Sequence, residues 1–86
     1  MTPAQCRAAR ALLDWSQQRL AEFSRIGNAT IRNFESGRSS PQIATLDVLK
    51  RAFEGAGVIF VDENGEGPGV RLRKDRAHGG ADPIDI

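Results

Sequence analysis

Between residues 28 and 36 the chain carries side chains whose types and spacing suit hydrogen bonding to the edges of bases. Asn28, Ala29, Arg32, Asn33 and Ser36 share one face of a helix, and Ile31 and Phe34 fall on the opposite side. Asn offers a two-ended amide that matches adenine, and Arg a fork that matches guanine. Ala29 or Thr30 offers a methyl that can meet the methyl of thymine. The same face fits a plain solvated helix, and these residues alone leave both readings open. Gln17 falls in the first turn of a preceding candidate helix, where free N–H groups and the positive helix end favour a phosphate. Ser36, Arg38 and Ser39 lie at and beyond the end of the polar face and would meet phosphate on its other flank; a solvent-exposed loop accounts for Arg38 and Ser39 as well.

Other chemistries have weaker claims on this sequence. Gly65-Glu66-Gly67-Pro68-Gly69 has the composition of a phosphate loop, but such a loop needs a helix after it and a strand-like segment follows here, so it reads as a turn. His78 has no Ser, Cys or carboxylate partner at informative spacing. Cys6 is the single cysteine, which excludes an intramolecular disulfide, and with one remote His there is no zinc-ligand spacing. The expectation is a protein that is not an enzyme and uses no metal or cofactor.

The elements that must position the polar face are legible in the punctuation. Thr2-Pro3-Ala4-Gln5 is a helix start, with a capping Thr, Pro where no N–H is needed and Gln three residues after the cap; a helix of about residues 3–13 follows. Its apolar stripe is Cys6, Ala9 and Leu13 with Leu12 alongside, which makes Cys6 a small core residue. Ser16 caps a second helix of about 17–23, with Trp15 and Leu20 at hydrophobic-staple spacing and Leu20, Ala21 and Phe23 on its apolar side. Arg25-Ile26-Gly27-Asn28 interrupts, with Gly27 free to take the angles of a tight turn. A third helix of about 28–36 runs into Gly37. Two short helices so close together are the pattern of a helix-turn-helix. Ile43, Leu46, Leu49, Ala52 and Phe53 continue as a fourth helix until Gly55-Ala56-Gly57. Val58 to Val61 and Val70 to Arg73, joined by a Gly-containing turn, then read as a β-hairpin that must pack on the helices or pair with another chain. Residues 74–86 show no period and read as a flexible tail.

Length and charge agree with a surface function. At 86 residues there is room for one small domain and little for a catalytic cleft. Net charge is +1, yet residues 1–57 hold eight basic and five acidic side chains, so a polyanion would be met by the front of the chain. The longest apolar run, Val58 to Val61, is far short of the ~20 residues that span a bilayer, which points to a cytoplasmic protein with no membrane contact.

Several dispersed features at fixed spacing carry a family resemblance. They are Ser16-Gln17 opening the second helix, Leu20-Ala21 within it, Thr30-Ile31 in the third, Glu35-x-Gly37 at its end and the following Pro41. Over residues 3 to about 57 the chain resembles the xenobiotic-response-element (Cro/CI-like) family of helix-turn-helix DNA-binding proteins. The resemblance implies a mainly α fold with a four-helix lambda-repressor-like helix-turn-helix domain (1–57), to which the alternation beyond it adds a C-terminal β-hairpin (58–73). It implies that Gln17 touches the DNA backbone and that Arg10 pairs with Glu35, with Arg10 a secondary backbone contact. Two positions depart from the family pattern: Arg25 stands where Gly is frequent in the turn, and Gly27 where a Ser usually caps the third helix. Arg25 is then a further candidate backbone contact.

These readings converge on a sequence-specific regulator of transcription, most simply a repressor, that binds double-stranded DNA as a homodimer. The candidate base contacts are Asn28, Ala29, Thr30, Arg32 and Asn33. The candidate dimer element is the hairpin, through Val58, Phe60, Val70 and Leu72. The alternative is an antitoxin-like or adaptor module that covers a protein partner, with DNA binding incidental.

Overall fold

The computed structural model describes residues 1–74. Four helices, α1 (Pro3–Leu13), α2 (Gln17–Ser24), α3 (Asn28–Glu35) and α4 (Ile43–Gly55), precede strands β1 (Val58–Val61) and β2 (Gly69–Leu72). The expected mainly α architecture with a terminal hairpin is the one observed. The tail expected over 74–86, with His78, lies beyond Lys74 outside the described residues. No helix among the described residues is long and apolar enough to cross a membrane.

Each helix begins where its cap dictates. Thr2 and Gln5 close a reciprocal capping box, the Gln5 N–H donating to Thr2 Oγ1 at 3.0 Å and the Thr2 N–H to Gln5 Oε1 at 2.9 Å. Ser16 Oγ accepts from the Arg19 N–H at 2.9 Å and starts α2. α2 ends one residue later than the sequence suggests, because Ser24 Oγ donates to Leu20 O at 2.7 Å and accepts from the Ile26 N–H at 3.1 Å, closing the turn with its own side chain.

The turn between α2 and α3 corrects one expectation. Gly27 has ordinary extended angles (φ −60°, ψ 143°), and the left-handed residue is Arg25 (φ 65°), whose N–H closes α2 on Ala21 O at 2.8 Å. The position that favours glycine is the helix C-cap, and here a long-stemmed cation with a Cβ occupies it. Gly27, with no side-chain oxygen, caps α3 without a side-chain hydrogen bond. Gly37, at φ 78°, does follow α3, whose last helical residue is Glu35 with Ser36 as the cap.

The core is where the inward stripes meet. Cys6 and Ala9 of α1, Leu20 of α2, Ile31 and Phe34 of α3, Leu49 and Phe53 of α4 and Val58 of β1 are all buried. Trp15 spans two neighbours, its ring 4.9 Å from Phe23 and 6.0 Å from Phe53, and Phe53 lies 6.0 Å from Phe60, so aromatic contact runs from α2 through α4 to β1. Leu12, read alongside the apolar stripe, is largely exposed, as is Phe23.

The hairpin packs on the helices. Its antiparallel register pairs Val58 with Leu72 and Phe60 with Val70, placing all four side chains on the face that meets the core. The second strand starts at Gly69, one residue earlier than the alternation suggests. Gln5 Nε2 pins the turn end by donating to Val61 O at 3.3 Å and Gly69 O at 3.0 Å, while the Arg73 N–H closes the open end on Gly57 O at 2.8 Å. The turn is no phosphate loop: Glu63 Oε2 already accepts from the N–H groups of Gly65 (2.9 Å) and Gly67 (3.1 Å), and a strand follows.

Candidate nucleic-acid interface

α3 divides cleanly by exposure. Ile31, Phe34 and Glu35 are buried, whereas Ala29, Thr30 and Arg32 are exposed and Asn28 and Asn33 half-exposed. The inward residues follow the helical repeat and leave five polar or small side chains along the outer side, with Arg32 Nη1 donating to Asn28 Oδ1 at 3.1 Å. Beyond the helix, the Ser36 hydroxyl turns back on Asn33 O at 3.1 Å, and the N–H groups of Arg38 (2.9 Å) and Ser39 (3.3 Å) close on the same carbonyl. That leaves the side chains of Arg38 and Ser39 exposed on the flank of α3. Arg25 is exposed in the turn at the other end.

Glu35 is the hub that orients α3 against α1 and α2. The residue is 4 % exposed, and its carboxylate takes Arg10 Nε on Oε2 at 2.8 Å and Arg10 Nη2 on Oε1 at 2.7 Å, a two-pronged ion pair. Gln17 Nε2 donates to Oε1 at 3.0 Å and the Cys6 thiol to Oε2 at 3.1 Å, while Arg7 reaches the Glu35 backbone carbonyl. Arg10 Nη1 also holds Trp15 O at 3.0 Å. Burial alone would raise the Glu35 carboxyl, but the hydrogen bonds from Arg10, Gln17 and Cys6 outweigh it and hold the group below its ordinary range. Glu35 in turn raises Arg10, chiefly by that hydrogen bond. Burial pushes the Cys6 thiol far upward, and the neighbouring carboxylate adds to it, so this cysteine is an inert donor.

The structure thus gathers Arg10 and Gln17 onto one carboxylate and sets Asn28 and Arg32 side by side. Sequence reasoning anticipated the Arg10–Glu35 pair by resemblance but missed Cys6, Arg7 and Gln17 as its partners, because residues so far apart in sequence leave no spacing signature. It also missed Gln5, whose signal was present: a polar residue four before Ala9 on the inward stripe of α1 must find partners inside. Val58, Phe60, Val70 and Leu72 pack on the core; Val58 keeps only 2 % exposure, and the other three stay half-exposed.

A family model described as helix-turn-helix matches residues 7–54, from the middle of α1 to the end of α4. The chain belongs to the Cro/CI-like helix-turn-helix family. It is also 34 % identical over 82 residues to the competence pilus inhibition repressor of Acinetobacter baylyi, an alignment covering 93 % of this chain and 71 % of that one. The matched span contains every candidate base and backbone contact named above, and the protein is a DNA-binding transcriptional regulator.

Proposed function

We propose that this protein is a sequence-specific repressor that binds DNA as a homodimer, each copy laying α3 in the major groove. The observation that carries the reading is the division of α3, which buries Ile31, Phe34 and Glu35 and turns Asn28, Ala29, Thr30, Arg32 and Asn33 outward. Gln17 and Arg10 at the start of α2 and on α1, Arg25 in the turn, and Ser36, Arg38 and Ser39 after α3 flank that face and would hold phosphates on both sides. Gln17 keeps a second amide hydrogen for a phosphate while its first holds Glu35. Repression is favoured by the printed name of the Acinetobacter baylyi relative.

One such helix reads only a few base pairs, so useful affinity calls for two copies on half-sites ~10–10.5 base pairs apart or a multiple of that. The hairpin is the proposed contact between copies. Val58 is spent within its own protomer, so a partner would meet the half-exposed Phe60, Val70 and Leu72 and the edges of the two-stranded sheet.

Selection of bound duplexes from a randomised pool, followed by titration of the winner at several salt concentrations and sedimentation of the free protein, tests the whole reading. An enriched palindrome, a salt slope of several phosphates and a concentration-dependent dimer are expected. Gln17→Ala should weaken all duplexes similarly, whereas Asn33→Ala should relax base preference by ~1–3 kcal/mol. No enrichment above a salt-sensitive background would remove sequence reading and turn attention to a protein partner.

A further inference from the structure

Four polar side chains on the outer surface connect α2 to α3 in a single direction. Arg32 Nη1 donates to Asn28 Oδ1 at 3.1 Å, Asn28 Nδ2 to Gln18 Oε1 at 3.3 Å, and Gln18 Nε2 to Glu22 Oε2 at 3.3 Å. The outer two links follow the i, i+4 spacing within each helix, and the middle one crosses between helices. A guanidinium only donates and an ionised carboxylate only accepts, so the two ends dictate how both amides turn. Asn28 must give its oxygen to Arg32 and its nitrogen to Gln18. Reversing either amide would set donor against donor or acceptor against acceptor, and each link polarises the next.

We propose that this relay, which rests on the reading of α3 as the base-reading helix, presets the N-terminal half of its outer face for guanine, with Glu22 and Gln18 as positioning residues. Guanine presents two acceptors in the major groove, and the N–H groups that Arg32 has left can fork onto both. Adenine would need both ends of the Asn28 amide. Each end already holds one partner, and the adenine amino group would come beside the Arg32 guanidinium, donor against donor. Cytosine presents only a donor, and thymine a single acceptor next to a methyl. The relay also holds Arg32 in place before DNA arrives, which lowers the ordering cost of the contact. Glu22 acts here at a distance: it sets the direction of the chain through Gln18.

The test uses the full chain. Duplexes are selected from a randomised pool by the wild type and by Glu22→Gln, Gln18→Ala, Gln18→Glu and Arg32→Ala, and the winner is titrated with guanine or adenine at the enriched position. The wild type should select guanine there. Glu22→Gln, whose new amide can turn either end toward Gln18, should lose on the order of 10-fold of guanine-over-adenine discrimination. Its thermal midpoint should hold, and its affinity for a scrambled duplex should hold or rise as a negative charge is removed. Gln18→Ala should lose the same discrimination, and Gln18→Glu, which keeps an acceptor for Asn28, should retain it while weakening all duplexes. The relay is overturned by a wild-type preference for adenine, by full discrimination in both Glu22→Gln and Gln18→Ala, or by equal weakening of every duplex in Gln18→Ala. Should Arg32→Ala relax base preference while neither Glu22→Gln nor Gln18→Ala does, only the relay falls. Should Arg32→Ala leave every preference intact, α3 does not read guanine through Arg32, and both the relay and Arg32 as a base contact fall.

Discussion

The carboxylate of Glu35 and the guanidinium of Arg10 meet edge to edge, their two N···O distances 2.8 and 2.7 Å, and so lock the end of α3 to the middle of α1. The pair is unequal in burial, the Glu35 side chain being 3 % exposed and that of Arg10 20 %. Removing the cation therefore strands the better-buried charge, the costly way to break such a pair. Arg10→Ala should cost about 3 kcal/mol, at the low end of the range for buried pairs because Arg10 reaches water. Urea unfolding would read this as a lower midpoint at unchanged slope. A loss under about 1 kcal/mol would place the pair among ordinary surface bridges.

The same site sets an acid dependence whose sign is fixed. Glu35 is held below the ordinary carboxyl range, so between the unfolded and folded values the unfolded chain binds a proton that the folded chain does not. Its contribution is complete above the unfolded value and is lost as pH falls through the folded one. Stability followed from pH 7 downward should be level near neutrality with respect to this group and decline below about pH 5. Glu35→Gln should start less stable and show a shallower decline. An unchanged slope in that variant would assign acid unfolding to other carboxylates.

The turn before α3 holds two residues that work against stability. Arg25 at φ 65° bears the left-handed penalty that glycine avoids, so Arg25→Gly should raise stability by about 0.5–1 kcal/mol. Gly27 is extended, and a Cβ there would meet only Thr30 Oγ1, at 4.0 Å, so Gly27→Ser fits and adds a cap, for a gain of about 0.5–1 kcal/mol. Thermal melts check both. DNA titration then separates them: Arg25→Gly should weaken every duplex alike and lower the salt slope by about 1, while Gly27→Ser should not. A stabilised Arg25→Gly with full affinity would remove Arg25 from the backbone contacts.

Much of this was legible in the sequence because local chemistry decides it. Thr2, Pro3 and Gln5 announce α1, Ser16 announces α2, and Gly37 follows the end of α3. The alternation of Ile31 and Phe34 with Asn28, Arg32 and Asn33 separates the two sides of α3 before any packing is known. Gly27 is free to take the angles of the turn but the left-handed position is Arg25, because composition names the residue that tolerates such angles, while the C-cap geometry of α2 names the position that needs them. Alternation in the hairpin showed that Val58, Phe60, Val70 and Leu72 share a face, but not whether that face meets its own helices. Long-range partners left no trace: nothing in the spacing of Cys6, Gln17 and Glu35 says that they meet.

Gln5 offers the sharpest test of how the hairpin is tied down. It is buried, caps α1 with its oxygen and holds Val61 O and Gly69 O with its nitrogen, so one side chain serves both the first helix and the last sheet. Gln5→Ala removes the donor and leaves two carbonyls at the turn end of the hairpin without it, at a cost of about 1–3 kcal/mol. The loss should be local. Hydrogen exchange at Val61 and Gly69 should quicken more than at Leu49 or Ile31, because the strands open before the core does. Gln5→Glu keeps the capping oxygen but sets a carboxylate against those carbonyls, and should quicken exchange there at least as much while leaving the start of α1 protected. Equal acceleration across helices and hairpin would show instead that Gln5 acts on the fold as a whole, with the hairpin and the four helices unfolding as one unit.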